Sequence, residues 1–165
     1  MISSAVPQPR PNKALGQHFL EDSWVLTRIV ATAGIASQDL VLEIGSGLGA
    51  LTRRLVTSGA RVVAVELDSR LATMLPARLG NPPNLTVIEA DARTLDLASL
   101  VAPDTTYKVV GNLPYYAANP IIRRFLEASP QPKLMVVTLQ EEVARTMAAI
   151  SGNMGFLSVA VQYYA

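Results

Sequence analysis

Five short runs of mainly branched apolar residues recur along the chain, each separated from the next by a longer, more polar stretch. The runs are residues 40–45, 61–67, 85–91, 107–113 and 133–139. Between them, helices are predicted over 48–58, closed by Gly59, over 69–79, and from Pro120 through Glu127. A further helix is expected over 24–33, capped by Asp22 or Ser23, and two more over 141–150 and 155–164. Strands that are apolar on consecutive residues are buried on both faces. Alternating with helices, they predict an α/β fold with a doubly wound, mostly parallel sheet covered on both sides. In such a sheet ligands bind beyond the carboxyl ends of the strands, where the winding direction switches. The polar residues at those ends are therefore the ones to read.

Composition narrows the function classes. Half of the residues are hydrophobic and 16% are charged, which suits one domain with a sizeable core rather than a disordered chain. Basic and acidic side chains number 14 and 13, so an RNA-binding role would need its cations clustered. Scattered candidates are Arg10, Lys13, Arg53, Arg123 and Arg124. There is no cysteine and His18 is the lone histidine, so no disulfide, thiolate or metal site is expected. Residues 1–12 are proline-rich and read as a flexible tail ahead of a single domain over 13–165. No apolar run approaches the roughly 18 residues of a membrane span, and a soluble, cytoplasmic monomer without a membrane partner is expected.

The first strand ends in Gly45-Ser46-Gly47-Leu48-Gly49-Ala50. Glycines there let a ligand lie against the backbone, and Gly45, Gly47 and Ala50 satisfy a dinucleotide-type fingerprint. That marks a nucleotide-like ligand without saying which one. Glu66 closes the second strand, where a carboxylate can accept both hydroxyls of a ribose. Asp91 closes the third. It suits the exocyclic amine of an adenine, although a turn cap in Asp91-Ala92-Arg93-Thr94 explains it almost as well. The fourth strand ends in Asn112-Leu113-Pro114-Tyr115.

That last segment resembles the N6-adenine methyltransferases, and the likeness to the ribosomal RNA small-subunit adenine dimethyltransferase A family is closer still. It runs through Leu15-Gly16-Gln17-His18-Phe19-Leu20, the block from Leu42 to Thr52, Val65-Glu66-Leu67-Asp68, Val109 to Tyr115, Gln140 to Arg145 and Leu157 to Tyr164, in the family's order. The resemblance implies a Rossmann-like domain that binds S-adenosylmethionine and dimethylates adenines of ribosomal RNA in the small subunit, as part of ribosome biogenesis. It implies cofactor contacts from His18, Leu20, Gly45, Gly47, Glu66, Asp91 and Asn112, and a catalytic segment of Asn112, Leu113, Pro114 and Tyr115. Phe19 reads as core or as a wedge beneath the segment carrying His18.

An adenine amine is a weak nucleophile because its lone pair is delocalised into the ring. Acceptors for its two hydrogens, here the Asn112 side-chain oxygen and the Leu113 carbonyl, would favour a pyramidal nitrogen and aim the lone pair. Pro114 stiffens the turn, and Tyr115 offers a face for a flipped-out base. Positioning carries most of the rate and no strong base is needed.

The sequence departs from the family's pattern in several places. Ser46 stands where proline is usual, Tyr116-Ala117-Ala118-Asn119 replaces a more polar run, and Glu141 replaces a common lysine. The family's chains continue through a final hairpin and a small helical domain. Without them, an exposed sheet edge, weak RNA binding and little methylation are expected. Three other readings compete. An NAD-dependent oxidoreductase would use the glycines and Glu66 but leaves Asn112 to Tyr115 unexplained. A non-catalytic RNA-binding assembly factor would not need Glu66 and Asn112 intact. A large-subunit methyltransferase of the antibiotic-resistance type shares the same motifs.

Overall fold

The computed structural model describes Pro9 and residues 19–148, with the backbone alone for Tyr115. The helix predicted over 155–164 and the contact assigned to His18 lie outside the described residues. Five strands form one sheet: β1 (Leu40–Ile44), β2 (Arg61–Glu66), β3 (Leu85–Glu89), β4 (Tyr107–Asn112) and β5 (Leu134–Thr138). Their order is β3-β2-β1-β4-β5 and every pairing is parallel. The chain winds outward from β1 to β3, then returns to place β4 on the other side of β1. The switch point lies between β1 and β4, and the architecture is the doubly wound α/β fold.

Alternation along the strands sorts the core into two layers. Leu40, Leu42 and Ile44 of β1 share one layer with Val63, Val65, Tyr107, Val109 and Phe125. Val41 joins Val62, Val110, Leu26, Ile29 and Leu55 on the opposite face. That second layer is covered by α1 (Ser23–Thr32) and α2 (Ala50–Thr57). Asp22 caps α1, its carboxylate accepting the N–H groups of Trp24 at 2.8 Å and Val25 at 3.1 Å. Among the described residues, the remaining helices are α3 (Ser69–Leu79), α4 (Leu97–Leu100), α5 (Ala118–Leu126) and α6 (Glu141–Met147).

Element boundaries differ from expectation at the ends that matter. The predicted strands overrun by one or two residues at Gly45, Leu67, Ala90-Asp91 and Leu113, because the ladder stops where the ligand-side turns begin. Helix α2 starts at Ala50, since Leu48 and Gly49 belong to the turn. Helix α5 starts at Ala118, which puts Pro120 in the first turn, where its missing N–H costs no helical bond. The single-turn α4 had no sequence signal. Among the described residues, no helix is long and apolar enough to cross a membrane.

Candidate functional site

The carboxyl ends of β1, β2 and β4 open onto a cavity of about 530 Å³, lined among others by the glycine turn, Glu66, Asp91, Asn112 and Leu113. A pocket of this size suits a nucleoside-sized ligand. The structure thus brings together Leu20, Gly45, Gly47, Glu66, Asp91, Asn112, Leu113 and Pro114.

The glycine turn is shaped by what packs on it. Gly49 has φ +83°, a left-handed conformation that favours glycine, and a Cβ there would also come within 2.5 Å of the tip of the Leu75 side chain on α3. A Cβ at Gly47 would lie 3.2 Å from the Phe19 ring, which places Phe19 over the turn, half-buried at the cavity wall rather than in the core. The turn is tied to β2 through Glu66, which is buried. One Glu66 oxygen, Oε2, accepts the Gly47 N–H at 2.8 Å, and Oε1 accepts the Asp68 N–H at 2.9 Å. Glu66 therefore ties the loop to β2 and also lines the cavity.

Asp91 is engaged in the way a turn cap would be. Its Oδ1 accepts the Arg93 N–H at 2.9 Å, and the Arg93 guanidinium closes on both oxygens, with Nη2 2.6 Å from Oδ2. Arg93 holds the Asp91 carboxyl below the usual carboxylate range. The same guanidinium lies over the Tyr116 ring, 5.9 Å from its centroid. A ligand amine reaching Asp91 must share it with Arg93.

On the β4 side, Asn112 is half-buried and Leu113 buried. The Asn112 Oδ1 accepts the Thr138 hydroxyl at 2.6 Å, and the Leu113 N–H donates to the Thr138 carbonyl at 3.3 Å. Pro114 is extended, with φ −66° and ψ 139°, and caps a 3-10 turn over Tyr115–Ala117 that leads into α5.

Sequence reasoning counted Glu43 among the polar residues at the strand ends but gave it no role. Glu43 occupies a core position of β1, fully buried against the start of α2. Burial is the chief cause that pushes its pKa up, to about 7, and the charge of Glu66 adds to it, while Thr52 pulls it back. Even so, among the described residues Glu43 Oε2 and the hydroxyls of Ser46 and Thr52 are buried without a hydrogen bond of good geometry. An acid inside an otherwise apolar strand was the signal available. Arg93 and Thr138 were also given no role, both being recognisable only through the partners they reach across the fold.

The family model for ribosomal RNA adenine dimethylases matches residues 9–165. The chain belongs to that family. It is 43% identical over 155 residues to the ribosomal RNA small subunit methyltransferase A of Dehalococcoides mccartyi, covering 94% of this chain and 53% of that protein. It is 44% identical over 158 residues to the protein of the same name from Enterococcus faecalis, covering 92% and 54%. The chain thus spans about half the length of the curated relatives it matches. Among solved structures, a dimethyladenosine transferase from Plasmodium falciparum superposes with a TM-score of 0.76 at 32% identity, covering 88% of this chain and 52% of that one. The 23S rRNA methyltransferase ErmE superposes with a TM-score of 0.67 at 34% identity, covering 78% and 50%. The relatives are thus similar in sequence over most of this chain, and the solved ones are similar in fold.

Proposed function

We propose that this domain binds S-adenosylmethionine and transfers methyl groups to N6 of adenines in small-subunit ribosomal RNA. The observation that carries the reading is that Glu66 and the Asn112-Leu113-Pro114 turn, from strands on either side of β1, face one cavity. The residues present fit the cofactor. Glu66 is a buried carboxylate already oriented by two backbone N–H groups, suited to accept ribose hydroxyls. Gly45 and Gly47 let a ligand approach the backbone, Leu20 supplies an apolar wall, and Asp91 accepts the adenine amine once it shares its pairing with Arg93. His18 and Tyr115 join this set by resemblance.

When bound, the cofactor supplies an electrophilic methyl group on a sulfonium. The chain's own part is to hold the acceptor. Asn112 Oδ1 and the Leu113 carbonyl take the two hydrogens of the target amine, and Pro114 sets the turn that presents them. Tyr115 gives a stacking face for the extruded base, a contact of roughly 1–3 kcal/mol. Asn112 does not titrate, which suits a reaction in which the nitrogen sheds its proton after transfer and positioning supplies the rate.

The cofactor half of this reading is tested by Glu66→Ala in binding titrations. Loss of charge-assisted bonds to the ribose and of the Gly47 tether is expected to weaken S-adenosylmethionine roughly 10- to 100-fold, about 1.5–3 kcal/mol. Affinity within twofold of the unaltered chain would remove Glu66 from the site. The RNA half is tested by incubating the protein and methyl-labelled cofactor with small- and large-subunit RNA, then analysing nucleosides. N6,N6-dimethyladenosine in small-subunit RNA is expected. Label confined to large-subunit RNA would favour the activity named for the ErmE neighbour.

A further inference from the structure

Asn112 and Thr138 end adjacent parallel strands and are paired in register across them. The backbone of Asn112 is confined from both sides. A Cβ on Gly111 would sit 2.5 Å from the Ile44 carbonyl oxygen, so only glycine lets β4 approach β1 this closely. From the other side, the Thr138 carbonyl accepts the Leu113 N–H. The backbone does not by itself fix the carboxamide, whose terminal torsion is intrinsically broad. Thr138 contributes a hydrogen bond to its oxygen. As a β-branched residue on a strand it has a restricted χ1, and its hydroxyl donates to Asn112 Oδ1 with the two oxygens 2.6 Å apart.

We propose that Thr138 is a positioning residue for methyl transfer, its hydroxyl fixing the Asn112 carboxamide in the orientation in which Oδ1 meets the target amine. The inference rests on the reading of Asn112 as the acceptor for that amine. Thr138 lines the same cavity, and the role assigned to it runs through its hydrogen bond to Asn112. Without that hydroxyl the carboxamide loses the hydrogen bond that aims Oδ1 but can still accept from the amine, so transfer should fall without substrate affinity falling equally. Misplacement of about 1 Å is enough to cost on the order of 100-fold in rate.

The test compares Thr138→Val, which keeps the branched shape and removes the hydroxyl, with Thr138→Ser, which keeps the hydroxyl. Single-turnover methyl transfer, S-adenosylmethionine affinity, melting temperature and the side-chain amide NMR signals of Asn112 are measured for each. Those signals are assigned by their loss in Asn112→Ala. Thr138→Val should lower the transfer rate roughly 10- to 100-fold, with cofactor affinity and melting temperature near those of the unaltered protein. The Asn112 amide signals should shift, and Thr138→Ser should restore both signals and rate to within a few fold. Unmoved Asn112 signals in Thr138→Val, or a full transfer rate alongside an inactive Asn112→Ala, would overturn the proposal while leaving the assigned function standing. Full transfer by Asn112→Ala would instead overturn the role of Asn112, and the positioning role with it.

Discussion

Asn112→Ala should reduce methyl transfer about 100- to 1,000-fold, the range typical for losing one preorganised polar group at a reacting centre. The change removes the side-chain oxygen that Thr138 orients and leaves the Leu113 carbonyl as the remaining acceptor for the amine. Affinity for S-adenosylmethionine should stay within a few fold, because Glu66, Gly47 and Leu20 lie on the other strands and turns of the cavity. Some loss of affinity is expected, since Asn112 lines the same space. A variant that still transfers at more than a tenth of the normal rate would show that the chemistry is organised elsewhere. The measurement is a single-turnover assay at saturating cofactor, which separates transfer from binding.

Glu43→Gln should stabilise the domain at alkaline pH. The Glu43 carboxyl has its pKa raised from 4.5 in the unfolded chain to about 7 in the folded one, chiefly by burial. A raised acid favours folding in its protonated form. Its contribution is complete below about pH 4.5 and is lost as pH rises through 7. Above that, the fold carries the buried Glu43 carboxylate beside Glu66, with no well-formed hydrogen bond to Glu43 Oε2 among the described residues. At about 1.4 kcal/mol per pKa unit, the shift corresponds to about 3 kcal/mol at pH 8. Glutamine keeps the shape and cannot ionise. Urea unfolding should therefore show the variant gaining stability over the unaltered chain between pH 5 and pH 8, with the difference shrinking towards the acid end. Asp39 and Asp91, whose carboxyls are shifted downward, titrate equally in both proteins and cancel from the comparison. A difference that does not change with pH would mean that Glu43 keeps its charge throughout.

Most of the fold was legible because its strands are buried on both faces. Runs such as Val62-Val63-Ala64-Val65 cannot sit at a half-exposed edge, and turns such as Gly45 to Gly49 admit few residues besides glycine. Strand ends were overrun because apolar character continues past the last ladder bond, as at Leu67 and Leu113. The short α4 lacks the two turns over which a helical period can be read. At the site, Glu66 and Asn112 were legible since strand-end polar residues have a fixed place in this architecture. Asp91 was only half legible: the competing turn cap is formed, and its bidentate partner Arg93 lies two residues on. Thr138 and the Phe19 ring over Gly47 depend on contacts across the fold, which no local pattern encodes.

The central claim is that the cavity above β1 holds a single adenosine with free ribose hydroxyls rather than a dinucleotide. Calorimetric titration of the protein with S-adenosylmethionine and with NAD, side by side, addresses it directly. Glu66 and Asp91 flanking one cavity predict a saturable heat with S-adenosylmethionine and none with NAD at the same concentrations. NAD binding as tightly as S-adenosylmethionine would contradict it.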